Sequence, residues 1–459
     1  LKGLDANVGT AREIETVQRF DAEYFRRAYV TCEEAVTQSG RSIRLRDEGA
    51  SVQRGQQPTY SEDGIPVVNS KHVKGMFVSV TDENRRAVLM GRGPLIKEGD
   101  ILINGTGLGT VGRVSLYVSE ENAIPDNHVT IARSKTFEPE FLAAFLNGKY
   151  GQAQLQRRVR GSSGQVELYP LDILEVSVWR ASAALTARVC KLYATSFEKR
   201  DAASRRMAEP GDLLLAELGL LGWTAPQPLS FTASANSAFT AERIDAQFFR
   251  PLFAEVNAKL LATGSACELG SILSTNARGR QPQYSDDGLP VINSKHVRTN
   301  RVILVDNRSA TDAGSPIVIE TGDVLMNGTG EGTIGRAAPY LHNRRALPDN
   351  HVTVLRTDRV DPVYLAVFLN SPLGQWQIER HIKGSSGQVE LYPSDIARIM
   401  VWEAPEAVQQ SVRAAILSAF DEERRANDLL EAAKIAVEIA IESGEPAAMA
   451  YLDHAAGTI

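Results

Sequence analysis

Short apolar runs punctuated by Gly, Pro, Asn and Asp recur along the chain, among them IPVVNS from Ile65, DILING from Asp100 and HVTIAR from His128. Runs of this length and punctuation predict β-strands. PEFLAAFLNGKYGQAQLQRR (Pro139–Arg158) has a different period. Its apolar residues Phe141, Leu142, Phe145 and Leu146 fall at helical spacing and predict one helix. PVYLAVFLNSPLGQWQIERH repeats the pattern with Tyr364, Leu365, Phe368 and Leu369. A third pattern runs through Val412, Ile416, Ala419, Ala426, Leu430, Ala433, Val437 and Ala440, stepping by threes and fours with Glu423 as the polar break. That is a heptad seam, about 42 Å long at the helical rise. A matching segment runs from Ala183 to Met207, where Pro210-Gly211 is expected to end it before LLLAELGLLGW. Such a seam serves either a helix laid on its own domain or one paired with a second helix. The expectation here is the pair, antiparallel, around a pseudo-twofold axis.

The patterns occur twice because the chain is a tandem duplication. RGQQPTYSEDGIPVVNSKHV (Arg54–Val73) recurs as RGRQPQYSDDGLPVINSKHV (Arg278–Val297), with 15 of 20 positions identical. GDILINGTGLGTVG (Gly99–Gly112) returns as GDVLMNGTGEGTIG (Gly322–Gly335), while PDNHVT and GSSGQVELYP recur unchanged. The offset is 224 residues early in the unit and 223 later, too long a period for a solenoid. The expected fold class is α+β, with two tandem β-rich recognition domains, each followed by a long helix. The expected division is residues 1–180 and 223–403 for the domains, 181–222 for the first helix and connection, 404–445 for the second helix, and 446–459 as a tail.

Composition narrows the class. The 459 residues, 43% hydrophobic and 23% charged, suit a multidomain globular protein. No window of about 18 apolar residues is present. LKGLDANVGTAREIE carries no apolar signal core, so a cytoplasmic location is expected. Cys32, Cys190 and Cys267 stand far apart, which argues against a disulfide framework or a zinc site. The net charge of −6 is unevenly spread: residues 403–459 carry −7, leaving +1 for the rest. Basic clusters at Arg157, Arg158 and Arg160, at Arg380, His381 and Lys383, and at Arg41, Arg44, Arg46 and Arg54 are candidates for neutralising phosphates.

Gly107-Leu-Gly109-Thr-Val-Gly112 and Gly330-Glu-Gly332-Thr-Ile-Gly335 fit G-x-G-x-x-G, but strand-like sequence follows where a dinucleotide site needs a helix. A glycine-rich β-turn is expected instead, with Asn104 and Thr106, and Asn327 and Thr329, approaching a phosphate or base. Polar loops supply further candidates: Asn69, Ser70, Lys71 and His72 with Ser162, Ser163 and Gln165 in the first copy. The second copy offers Asn293, Ser294, Lys295 and His296 with Ser385, Ser386 and Gln388. Asn and Gln suit adenine, Lys and Arg suit guanine, and Ser suits either base. The same residues also serve as turn formers. Tyr60, Arg160, Tyr284 and Lys383 complete the candidate DNA-binding set. No P-loop, amino-methyltransferase tetrapeptide or nuclease cluster is found, and the chain is expected to be non-catalytic, with no metal.

Two β-rich units, each followed by a long helix, resemble the DNA-specificity subunit of type I restriction–modification systems. GDILINGTGLGTVGRV, GDVLMNGTGEGTIGRA, the GSSGQVELYP ends and the AKIAVEIAIESGE tail (Ala433–Glu445) carry the resemblance. It implies that each unit reads one half of a bipartite site in double-stranded DNA. It also implies that the helices set the spacing and dock two adenine-methylating subunits, which would hold S-adenosylmethionine. An ATP-dependent restriction subunit can join such complexes. The two copies are unusually alike, so a near-palindromic site is expected. The alternatives are the recognition portion of a fused methyltransferase or restriction polypeptide, suggested by Leu1 at the start and a first methionine at Met76, and a duplicated protein-interaction scaffold.

Overall fold

The computed structural model describes residues 14, 19–81, 84–89, 91, 93–161, 164–224, 228–311, 317–384 and 389–458. The chain forms two compact units. Unit 1 comprises residues 1–201 with 422–459, and unit 2 comprises residues 202–421.

In unit 1 a five-stranded sheet takes the order Ser51–Arg54, Val129–Arg133, Ile101–Asn104, Val114–Tyr117 and Phe77–Val78, antiparallel except for the last pair. Every residue of Ile101–Asn104 is buried, and the strand period explains how. Ile101 and Ile103 face a core containing Phe141, Phe145 and Leu155. Leu102 faces a second core with Val68, Val73, Tyr117 and Ile131. Unit 2 repeats the arrangement through Thr275–Arg278, Val352–Arg356, Val324–Asn327 and Ala337–Pro339. There Val324 and Met326 enter one core and Leu325 the other. A smaller sheet in each unit ends in a parallel pair, Val67 and Val68 against Ile124 and Pro125, and Val291 and Ile292 against Leu347 and Pro348.

The single helix expected over 139–158 is two, Pro139–Asn147 and Lys149–Arg158. Gly148 takes an extended ψ of 170° and breaks the ladder. Ser371, at ψ 163°, does the same between Pro362–Asn370 and Pro372–His381, where Pro372 opens the second helix.

The long helices span Ala183–Glu217 and Glu406–Ser443. All eight apolar seam positions from Val412 to Ala440 are buried. The pairing is antiparallel: Ser196 donates to the Ala426 carbonyl at 2.8 Å, Lys199 meets Glu422 at 2.9 Å, and Arg206 donates to Ser418. The expected break at Pro210 does not occur, since Pro210 lies buried within the first helix. Proline costs a helix interior about 3 kcal/mol. Burial of Leu214 in the core with Val412 and Ile416 offsets that loss. After the second helix the chain continues as Glu445–Thr458, with Ala448 and Leu452 in the unit 1 core. Among the described residues, no helix is long and apolar enough to cross a membrane.

Candidate nucleic-acid interface

The loops repeated in sequence are joined in space, once within each unit. In unit 1 the fully buried Asn104 donates its amide to the carbonyls of Ser70 and Val73 at 3.1 and 3.0 Å, which ties the N-S-K-H loop to the glycine turn. Gly105 donates to the His128 carbonyl at 2.8 Å and accepts from the Leu168 amide at 2.8 Å. The D-N-H turn and the V-E-L segment are thereby drawn in. Gly55 donates to Val129 at 2.9 Å, and Asp126 donates its amide to Val68 at 3.0 Å. Burial raises the carboxyl pKa of Asp126, although the His128 amide donates to it at 2.9 Å.

Unit 2 repeats these tethers. Asn327 donates to Ser294 at 3.2 Å, Gly328 donates to His351 at 2.8 Å, and Leu391 donates to Gly328 at 2.9 Å. Gly279 bonds Val352 at 3.0 Å and Asp349 bonds Ile292 at 3.0 Å.

The glycine turn is shaped by two constraints. Gly105 and Gly328 lie against the guanidinium groups of Arg54 and Arg278, where a Cβ would collide. Arg54 is held there by Glu167 and by the Leu168 carbonyl at 2.5 Å. Gly107 and Gly330 have φ of 100° and 98°, a region open to glycine at little cost. Strands Val114–Tyr117 and Ala337–Pro339 follow the motif, as expected of a β-turn rather than a dinucleotide site.

Several expected ligand contacts are corrected by this geometry. Asn104 and Asn327 have no exposed surface, so neither side chain can meet a base; they position the loop. Asn69 and Asn293 accept the amides of Lys71 and Lys295 at 3.2 and 3.3 Å. His72 and His296 accept the Asn69 and Asn293 amides through Nδ1, both at 3.1 Å. These four residues close the turn, and His296 is buried, which lowers its pKa. Ser70 and Ser294 are half-buried, while Lys71 and Lys295 are exposed. Tyr60 and Tyr284 are half-buried beneath the exposed Arg85 and Arg308, with guanidinium-to-ring distances of 3.5 and 3.4 Å. Thr106 and Thr329 hydrogen-bond Nδ1 of His128 and His351 at 2.6 and 2.7 Å. Gln165 is exposed; Ser162, Ser163, Ser385, Ser386 and Gln388 lie outside the described residues.

The basic clusters are also corrected, because most of their cations are paired with acids and the rest are withdrawn from solvent. Arg157 and Arg158 both turn to Glu33, at 2.8 and 2.6 Å. Arg160 and Lys383 pair with Asp172 and Asp395 at 2.6 and 2.8 Å. Arg41, Arg44, Arg46 and Arg54 pair with Glu445, Asp47, Glu175 and Glu167. Arg380 and His381 are largely buried, and burial lowers both pKa values, that of His381 to about 4.

A second cationic set lies on the loops, and of its residues only Lys71 and Lys295 are among the candidates read from the sequence. Lys71, Lys74, Arg85 and Arg113 recur as Lys295, Arg298, Arg308 and Arg336, and none stands in a salt bridge among the described residues. The exposed His128 and His351, and Tyr169 and Tyr392 at 42% and 41% exposure, had been missed as well. The signal was available: these residues recur at the repeat offset, whereas Arg158 becomes His381.

No protein-family profile matches the chain, and no curated protein matches it significantly. Among solved structures, the S subunit of a type I restriction–modification system from M. genitalium has 11% identity and a TM-score of 0.39, covering 87% of this chain and 94% of its own. The HsdS subunit from Thermoanaerobacter tengcongensis has 13% identity and a TM-score of 0.26, covering 86% and 97%. A structure described as showing complex assembly and conformational transition of the type I R-M system has 15% identity and a TM-score of 0.29, covering 90% and 97%. The chain is similar to type I S subunits. These structures are of the family that the sequence resembles.

Proposed function

We propose that the chain is a sequence-specific DNA-binding subunit in which each unit reads one half of a bipartite, near-palindromic site. The observation that supports this reading is the joining of the N-S-K-H loop, the glycine turn, the D-N-H turn and the segment at Leu168 or Leu391 into one cluster per unit, by matching hydrogen bonds. Turn chemistry alone explains Asn69 and Asn104. It does not explain why exposed groups such as Lys71 and Gln165 recur beside them. Lys71, Lys74, Arg85 and Arg113 and their counterparts neutralise flanking phosphates, while Gln165 and Gln388 with the loop serines contact base edges. The helix pair acts as a spacer. A seam of about 42 Å exceeds the roughly 34 Å of one DNA turn, enough to place two half-sites on the same face. On this reading the partners are two adenine-methylating subunits that hold S-adenosylmethionine, with a restriction subunit joining some assemblies, and the chain itself contributes recognition rather than chemistry.

Equilibrium binding to duplex DNA across a salt series tests the reading. A steep fall in affinity is expected, with a log–log slope of about −0.9 per phosphate neutralised. Salt-independent binding, or none, would instead favour a protein-interaction scaffold. Replacing Gln165 and Gln388 together should relax or abolish sequence preference.

A further inference from the structure

The two loop clusters share their buried tethers, so a difference in what they read must come from exposed positions where they differ. Two such positions lie on the clusters. The residue after the glycine bonded to Val129 or Val352 is Gln56 in unit 1 and Arg280 in unit 2, both exposed. The tip of the Gly-x-Gly turn is Leu108 in unit 1, 76% exposed, and Glu331 in unit 2, also exposed. The flanking glycines have φ of 100° and 77° in unit 1 and 98° and 73° in unit 2, so both turns present their tips on the same backbone.

The chemistry of each exchange has a direction. A glutamine amide offers one donor and one acceptor, which match N6–H and N7 of adenine. A guanidinium offers two donors, which match O6 and N7 of guanine. An exposed leucine packs on the thymine methyl, whereas a carboxylate accepts from N4 of cytosine. Both exchanges therefore move from A·T in unit 1 to G·C in unit 2. The other exposed difference in this segment that changes side-chain type, Thr59 against Gln283, carries no comparable direction, because a hydroxyl serves several bases.

We propose that the two half-sites agree elsewhere but differ at the base pairs met by residues 56 or 280 and 108 or 331, unit 1 taking A·T and unit 2 taking G·C. The proposal rests on the DNA-reading function above. It also specifies where the site departs from a palindrome.

The test is selection from a random-sequence duplex DNA library by the full chain with its co-purifying subunits. The wild type is compared with Gln56→Arg/Leu108→Glu and with Arg280→Gln/Glu331→Leu. All four positions are exposed, so thermal unfolding should be unchanged in both variants. The wild type should enrich two related halves that differ at one or two base pairs. The first variant should convert the A·T-bearing half to G·C, shifting preference by about tenfold or more at each pair, and the second should do the reverse. Identical halves in the wild type, or variants that select the wild-type site, would overturn this assignment and leave the DNA-reading function standing. A wild type that enriches no sequence would overturn both.

Discussion

Units 1 and 2 hold their loop clusters in the same way but support them differently. At one buried position behind the loops, unit 1 has Arg158, whose guanidinium lies 2.6 Å from Glu33 on the Arg27–Thr37 helix. Unit 2 has His381 and, on the Pro251–Leu261 helix, Asn257 at the equivalent sequence positions. His381 packs edge-on against Phe248 with ring centroids 6.0 Å apart; among the described residues neither it nor Asn257 stands in an ion pair, and Arg250 meets Glu379 at 2.7 Å instead. A nearby tether is unchanged: Gln154 bonds both backbone groups of its partner strand at Ser177, and Gln377 does so at Met400. The support has therefore been rebuilt where it can differ without moving the loops. The loop geometry is the feature common to the two units, which is what a shared reading surface requires.

Removing Glu33 should break this comparison most severely. Glu33→Gln leaves the buried Arg158 and the half-buried Arg157 without a counter-charge and should cost about 3–5 kcal/mol in urea unfolding. Asn257→Ala at the equivalent position should cost about 1 kcal/mol or less, because the Asn257 carbonyl oxygen has no partner among the described residues. Equal losses would show that the two supports do not differ as described.

Acid should separate the units next. Burial pulls the His381 pKa from 6.5 down to about 4. In that window the unfolded state takes up a proton that the folded state does not, so stability contributed by neutral His381 is lost as the pH falls from about 6.5 toward 4. The loss reaches about 3 kcal/mol. Burial would raise the Glu33 pKa, but hydrogen bonds and charge from Arg158 and Arg157 outweigh it and hold the carboxyl below its usual 4.5. Its contribution is present above that value and is lost only as the pH falls through the lower folded pKa. Unit 2 should therefore weaken first, which pH-dependent urea unfolding of wild type and His381→Phe would show as a flatter profile for the variant.

Smaller effects sharpen the likeness between the units. Asn104→Ala and Asn327→Ala should each cost about 1–3 kcal/mol by freeing the N-S-K-H loop, with the larger loss at Asn104, which donates to two carbonyls. Lys71→Ala and Lys295→Ala should leave unfolding unchanged and each reduce the salt slope of DNA binding by about one.

Much of the fold was legible in sequence because strand and helix periods survive in short windows. The repeat offset revealed the two copies, and the buried seam of the second long helix follows its heptad spacing. Misreadings arose where tertiary packing decides. Pro210 looked like a helix end because local propensity opposes it, yet burial around Leu214 carries the helix through. Arg157 and Arg158 looked like a phosphate patch because their counter-charge, Glu33, lies more than 120 residues away. Asn104 had the chemistry of a base reader and the burial of a structural tether, and only the fold separates the two.

Single-molecule mapping of methylated bases in the source genome, with and without this chain, tests the central claim most directly. The predicted result is a chain-dependent bipartite motif whose inverted halves match apart from one or two base pairs. A motif with two unrelated halves, or a methylation pattern unchanged by loss of the chain, would contradict it.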